Sequence, residues 1–107
     1  MAVQYIKNNE EFNKIIKENK LVVIDFTATW CGPCKQVGPL FEKLHADNVF
    51  PNVTFWKIDV DENEETPESC EISAMPTFQF FKDGKKADEV VGASIEKVKE
   101  MIQKHNN

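Results

Sequence analysis

The sequence predicts an α/β domain in which a mixed β-sheet of about five strands is flanked by four helices. Two observations predict this class. β-branched apolar segments alternate with amphipathic segments of helical period along most of the chain. The last two strand segments are joined by Asp83-Gly84, a dipeptide typical of two-residue β-hairpins. We therefore expect a single domain over residues 1–107, with an antiparallel hairpin at one edge of the sheet.

Five segments have the composition of strands. Residues 21–26 form a nearly continuous apolar, β-branched run, which predicts a strand buried on both faces, as in a parallel sheet. The other strands are expected at residues 3–6, 53–58, 77–82 and 86–91.

Four segments have helical signals. The first helix follows a capping asparagine, Asn8 or Asn9, and the last helix follows Ser94. A short third helix is expected to have Thr66 as its cap and to run through Cys70. The apolar faces predicted for the three longer helices are Phe12, Ile15 and Ile16; Val37, Leu40, Phe41 and Leu44; and Ile95, Val98, Met101 and Ile102.

The composition excludes several classes of function. The net charge is −5 and all 13 basic residues are lysines, so the guanidinium fork that grips phosphates is absent. No apolar run approaches the ~18 residues of a membrane span, and residues 1–12 contain no apolar core of a secretory signal. Three cysteines are too few, and odd in number, for a disulfide-stapled secreted domain. We expect a cytoplasmic monomer, with the nucleus as the alternative location, that binds neither nucleic acid nor membranes.

Cys31 and Cys34 form a Cys-x-x-Cys pair that follows the buried strand and opens the second predicted helix. The free N–H groups and partial positive charge of a helix N-terminus stabilise a thiolate. The three-residue spacing brings both sulfurs over one turn, within reach of a disulfide. We interpret Cys31 as the exposed, attacking thiol and Cys34 as the resolving thiol, so the pair predicts a redox-active disulfide.

Gly32 and Pro33 separate the two cysteines and carry no charge that would stabilise the thiolate further. Their neutrality favours a reducing couple over an oxidising one. The alternative is half of a zinc site, which needs about four ligands. The remaining candidates Cys70, His45 and His105 form no second paired motif, so no metal is expected.

Asp25 interrupts the apolar run of the buried strand. A buried, unpaired carboxylate is costly, so burial should raise the pKa of this group. The functional interpretation is a proton relay in which Asp25 takes the proton of Cys34. The alternative is an aspartate at a strand end that faces water.

These residues together resemble the thioredoxin family. The segment Trp30-Cys31-Gly32-Pro33-Cys34 matches the family's active-site motif, and the similarity extends from residue 3 to about residue 104. The resemblance implies the thioredoxin fold and a protein-disulfide reductase that maintains cell redox homeostasis by reducing target proteins. It also implies that electrons come from NADPH through a flavoprotein, thioredoxin reductase, with no cofactor bound to this chain.

The resemblance also assigns roles around the dithiol. It favours Asp25 as the proton relay, with Lys57 tuning that acid, although a solvated strand lysine is the alternative for Lys57. It implies a cis peptide bond between Met75 and Pro76, where the backbone of Met75 is free to pair with an extended substrate. The implied substrate-binding residues are Trp30, Met75, Pro76, Gly92 and Ala93.

Thr27 departs from the family pattern, and Cys70 is the odd cysteine. Thr27 occupies a position where many members have an aromatic side chain beside the active-site loop. Cys70 is either a free surface thiol without a role or a regulatory thiol that forms an intermolecular disulfide or is modified under oxidation.

Two further functions are alternatives to the reductase. A redox-gated binding module would hold a partner on the surface around Trp30, with the state of the dithiol setting the affinity. An isomerase-like oxidant is disfavoured by the uncharged Gly32-Pro33 pair and by the missing secretory signal.

Overall fold

The computed structural model describes residues 2–106. Its strands are β1 (Gln4–Tyr5), β2 (Leu21–Thr27), β3 (Val53–Asp59), β4 (Thr77–Lys82) and β5 (Lys85–Val91). Its helices are α1 (Asn9–Glu18), α2 (Gly32–Ala46), α3 (Glu65–Ser69) and α4 (Ile95–His105). The predicted element order is therefore confirmed. None of the helices within residues 2–106 has the length and apolar character needed to cross a membrane.

The five strands form one mixed sheet in the order β1-β3-β2-β4-β5. The central strand β2 is parallel to β3 on one side and antiparallel to β4 on the other, so only one of its two pairings is parallel. Strands β4 and β5 form the expected hairpin at the sheet edge. Its turn has positive φ at both Asp83 (54°) and Gly84 (85°), as a two-residue turn that matches the strand twist requires.

Alternate side chains of β2 enter two separate cores. Leu21 and Val23 pack with buried residues of α2 and α4. Val22, Ile24 and Phe26 pack with buried residues of α1 on the opposite face. Because side chains alternate along a strand, Asp25 shares the face of Val23 and lies on the α2 side of the sheet.

Two of the three predicted N-cap residues, those of α1 and α4, are confirmed. Asn8 Oδ1 accepts the Glu11 N–H at 2.9 Å, and Ser94 Oγ accepts the Lys97 N–H at 3.3 Å. The prediction that Thr66 caps α3 was wrong, because this residue lies inside the helix. The N-cap is Glu64, whose side chain makes no capping bond, and the Thr66 N–H donates instead to Oδ1 of the preceding Asn63 at 3.2 Å.

The prediction that Leu40 lies on the buried face of α2 was also wrong, since 47% of this residue is exposed. Val37, Phe41 and Leu44, spaced by four and three residues, form the buried face. A helical residue three positions after Val37 is rotated by about 60° from it, away from Phe41. Leu40 therefore lies outside the face of α2 that packs against the sheet.

Phe41 packs edge-on and tilted against two other rings, with centroid distances of 5.3 Å to Phe55 and 5.5 Å to Phe78. Because the residue is fully buried, Phe41→Ala should lower the free energy of unfolding by about 3–5 kcal/mol. Leu40→Ala, at the adjacent position on the same helix, should lower it by less than about 1 kcal/mol. Urea unfolding of the oxidised protein measures both. Equal losses would contradict this assignment of the buried face.

Candidate active site

The Cys31–Cys34 pair lies where the loop after β2 enters α2. Cys31 is the N-cap residue of α2, and its Sγ accepts the Cys34 N–H at 3.2 Å. The two residues are joined by a disulfide, with their Cα atoms 5.3 Å apart. The sulfur of Cys31 thus occupies the place of a capping oxygen, where free N–H groups and the helix dipole favour negative charge. This position lowers the cost of a thiolate on Cys31.

Neither cysteine is exposed. Residue exposure is 5% for Cys31 and 4% for Cys34, so the expectation of an exposed Cys31 was wrong. Ala28 packs into the same small cluster, with Met75 and Val60 against it. The two thiols are therefore distinguished by their place on the helix, since Cys31 precedes the first turn and Cys34 lies within it.

The loop before β4 lies against the disulfide. The Met75–Pro76 peptide bond is cis, and the carbonyl oxygen of Met75 lies 3.7 Å from Cys31 Sγ. The Gly92 N–H donates to the carbonyl of Pro76 at 2.9 Å. Gly92 has a φ of +110°, a conformation that glycine adopts without steric cost. Met75, Pro76 and Gly92 are thereby brought together, and the exposed Ala93 follows in the chain.

Trp30 is a surface residue, with 64% of its area exposed beside the disulfide. Its indole N–H donates to Asp61 Oδ2 at 2.7 Å, which orients the ring. No sequence pattern indicates that Asp61 has this partner, because the residue belongs to the acidic stretch at residues 61–71, which has no distinguishing periodicity. A core position for Trp30 is excluded.

Asp25 is 1% exposed and lies on the α2 side of the sheet. Its Oδ1 has no hydrogen-bond partner among residues 2–106. Burial raises the pKa of Asp25 from the ordinary 3.8 to about 7, while the charge of Lys57 lowers it and that of Glu42 raises it further. Asp25 and Cys34 line the same cavity of about 660 Å³, and Thr27 lines its wall. A carboxyl with this pKa, near this thiol, is suited to exchange a proton at neutral pH.

Lys57 is buried next to Asp25 in the strand register, yet its ion pair is with a different acid. Its Nζ lies 2.6 Å from Glu42 Oε2 and 5.8 Å from the ring centre of Tyr5. Glu42 was missed by reasoning from the sequence. A signal was present, because Cys34, Gly38 and Glu42 are spaced by four residues and share one face of α2.

Cys70 caps the C-terminal end of α3 and is a half-buried free thiol. Burial raises the pKa of Cys70 to about 11, against a smaller opposing effect of Lys86. The thiol packs against the core formed by α1 and β2, away from the disulfide. Across residues 2–106, no group of three or more His, Cys, Asp and Glu side chains could hold a metal ion.

Comparison with known proteins agrees with this geometry. The thioredoxin family model matches residues 3–104. A thioredoxin of Coprinus comatus is 47% identical over 102 residues, which are 95% of this chain and 96% of that protein. The solved thioredoxin of Malassezia sympodialis has a TM-score of 0.92 and 46% identity, covering 99% of this chain and 92% of its own.

A further solved chain comes from a study of the thiol resolving mechanism in yeast mitochondrial 1-Cys peroxiredoxin through glutathione and thioredoxin systems. It has a TM-score of 0.89 and 40% identity, covering 95% of this chain and 94% of its own. The family match spans nearly all of the chain, and the Cys31–Cys34 pair is positioned for dithiol–disulfide exchange. The chain therefore belongs to the thioredoxin family of disulfide oxidoreductases.

Proposed function

We propose that the chain reduces disulfides of target proteins, with Cys31 as the nucleophile and Cys34 as the resolving thiol. The observation that carries this assignment is the Sγ of Cys31 at the N-cap of α2, which accepts the Cys34 N–H. The Cys31 thiolate attacks one sulfur of the target disulfide. A mixed disulfide forms, and the first target thiolate leaves.

The second step returns the chain to the disulfide state. Cys34 gives its proton to Asp25, and the resulting thiolate attacks Cys31 Sγ. The Cys31–Cys34 disulfide forms and the second target thiolate leaves, so two electrons have passed to the target. Asp25 suits this role because its pKa of about 7 lets it bind and release a proton near neutral pH.

Target binding is assigned to the surface around the disulfide. The Met75 carbonyl, 3.7 Å from Cys31 Sγ, can accept a backbone N–H from an extended target segment. Trp30, held by Asp61, provides an exposed apolar wall, and Gly92 with Ala93 provides a surface of small residues beside Pro76. One-cysteine peroxiredoxins are one class of target, on the strength of the similar yeast chain.

Regeneration of the dithiol is assigned to a flavoprotein thioredoxin reductase that takes electrons from NADPH. The chain itself then needs no bound cofactor, since the cysteines carry the electrons. The proposed location is the cytoplasm, with the nucleus as the alternative, and the proposed state is a monomer. A dimer linked through Cys70 stays a prediction, and its formation is expected to be slow because burial keeps this thiol protonated.

A redox-gated binding module is the second candidate function, and the exposed Trp30 beside the disulfide favours it. Replacing both Cys31 and Cys34 by Ser separates the two functions. A binding module fixed in a reduced-like state keeps its partner, whereas a reductase loses its activity.

Cys34→Ser should trap target proteins on Cys31, because the thiol that resolves the mixed disulfide is removed. Non-reducing electrophoresis of the variant after incubation with a disulfide-containing target should show an adduct that dithiothreitol releases. Cys31→Ser is the matched control and should give no adduct. Equal trapping by both variants would contradict the assigned order of attack.

Asp25→Asn should make the protein more stable at high pH. The folded-state pKa is raised, so the stability contributed by the neutral carboxyl is full below about pH 4 and is lost as the pH rises towards 7. A shift of about three units corresponds to about 4 kcal/mol. The free energy of unfolding of the variant should therefore exceed that of the native protein by up to about 4 kcal/mol at pH 8 and equal it at pH 3. Urea unfolding of the oxidised forms measures both.

The same variant tests the relay. Resolution of a preformed mixed disulfide on Cys31 should be slowed at pH 7 by Asp25→Asn, by roughly ten-fold or more, since a positioned base contributes about 10²–10⁴-fold. Asp47→Asn, an exposed aspartate at the far end of α2, is the control for both measurements. An unchanged rate of resolution would exclude Asp25 as the base.

A further inference from the structure

Glu42 is held on both of its carboxylate oxygens. Its Oε1 accepts the Val3 N–H at 2.9 Å, and its Oε2 lies 2.6 Å from Lys57 Nζ. Burial opposes ionisation of this acid, but the hydrogen bonds from Lys57 and Val3 outweigh it and lower the pKa of Glu42. Glu42 is thus a fixed negative charge at neutral pH, about two helical turns beyond Cys34.

Lys57 shares the cavity with three acids, Asp25, Glu42 and Asp59, and its ion pair is with Glu42. In the parallel register it lies between Tyr5 of β1 and Asp25 of β2, and neighbouring side chains in such a row share one face of the sheet. The ammonium is nevertheless directed to Glu42, and Oδ1 of Asp25 finds no partner in the described part of the chain. Oδ1 of the buried acid therefore has no bond to its nearest cation, although the charge of Lys57 still lowers the pKa of Asp25.

The groups that face Asp25 come from three elements. From β3 they are Lys57 and Asp59, from β1 Tyr5, and from α2 Cys34, Lys35 and Glu42, all of which line the cavity. The β4 neighbour of Asp25 in the register is Phe78, which has no charge. Lys57 is the only cation of this set whose side chain is mostly buried, so its position has the largest influence on Asp25.

We propose that Glu42 is a positioning residue that keeps Lys57 away from Asp25 and thereby sets the pH at which Asp25 can accept the proton of Cys34. The inference rests on the proposed role of Asp25 in the resolving step. Without the Glu42 carboxylate, the Lys57 ammonium would turn to Asp25, its neighbour in the strand register. Asp25 would then stay ionised at lower pH, and it would be a weaker base at neutral pH.

Glu42→Gln is the variant that tests this. The amide retains one oxygen for the Val3 N–H, while its NH₂ group repels the Lys57 ammonium from the other position. Titration of the Asp25 carboxyl carbon in the oxidised protein, followed by ¹³C NMR, should move to lower pH by about one unit, as expected when a carboxylate gains a nearby cation. Asp47→Asn removes the same charge from an exposed ion pair at the end of the same helix and should leave that titration in place.

Lys57→Met decides whether Glu42 acts through the lysine. In this variant Asp25 should titrate at higher pH than in the native protein. When Glu42→Gln is added to Lys57→Met, the Asp25 titration should shift by less than half as much as Glu42→Gln shifts it in the native protein. Equal shifts in the two backgrounds would overturn the proposal, since Glu42 would act by its own charge alone. An unmoved titration in Glu42→Gln, with native-like amide spectra, would overturn it as well.

The pH dependence of mixed-disulfide resolution separates this inference from the proposed function. In Glu42→Gln the midpoint of that profile should move together with the Asp25 titration. If the Asp25 titration moves and the rate profile does not, Glu42 sets the ionisation of Asp25 as inferred, and the relay through Asp25 is wrong. If neither moves, the positioning role of Glu42 is wrong.

Discussion

The burial of β2 on both faces is the constraint on which the rest of the molecule depends. Two cores form because alternate side chains of one strand face α2 and α4 on one side of the sheet and α1 on the other. The same alternation places Asp25 on the α2 side, and the end of the strand delivers Cys31 to the start of α2. A shift of the β2 register by one residue would turn every side chain of the strand towards the opposite core and Asp25 away from α2, so packing fixes the positions of the acid and the thiols.

Two electrostatic effects of opposite sign act on the ionisable groups of the site. The N-terminus of α2 favours negative charge on Cys31, whereas the apolar surroundings of Asp25 disfavour negative charge there. At neutral pH a thiolate at the helix end is therefore compatible with an Asp25 carboxyl that is present in both its neutral and its ionised form. The ion pair of Glu42 with Lys57 belongs to the same balance, because it directs towards Glu42 the cation whose charge partly stabilises the Asp25 carboxylate.

Local patterns predicted most of the fold and part of the site. The strands, the hairpin turn at Asp83 and the cap at Ser94 follow from short-range chemistry that the sequence displays directly. The burial of Cys31 and the partner of Lys57 depend on contacts between segments far apart in the chain. Those contacts leave no periodic trace, and the one available signal for Glu42 was its spacing from Cys34. The cis bond before Pro76 was implied by resemblance alone, since local sequence favours trans.

The central claim, that Cys31 and Cys34 act as a reducing dithiol, is tested most directly by the reduction potential of their disulfide. Equilibration with glutathione buffers measures it, and each ~30 mV corresponds to about 1.4 kcal/mol for a two-electron couple. We expect a value at or below the poise of a reducing cytosol, roughly −220 to −260 mV by chemical extraction, because Gly32 and Pro33 add no charge that stabilises the thiolate. A value well above that range would mean that the chain oxidises or isomerises its targets, and would contradict the assigned direction of electron flow.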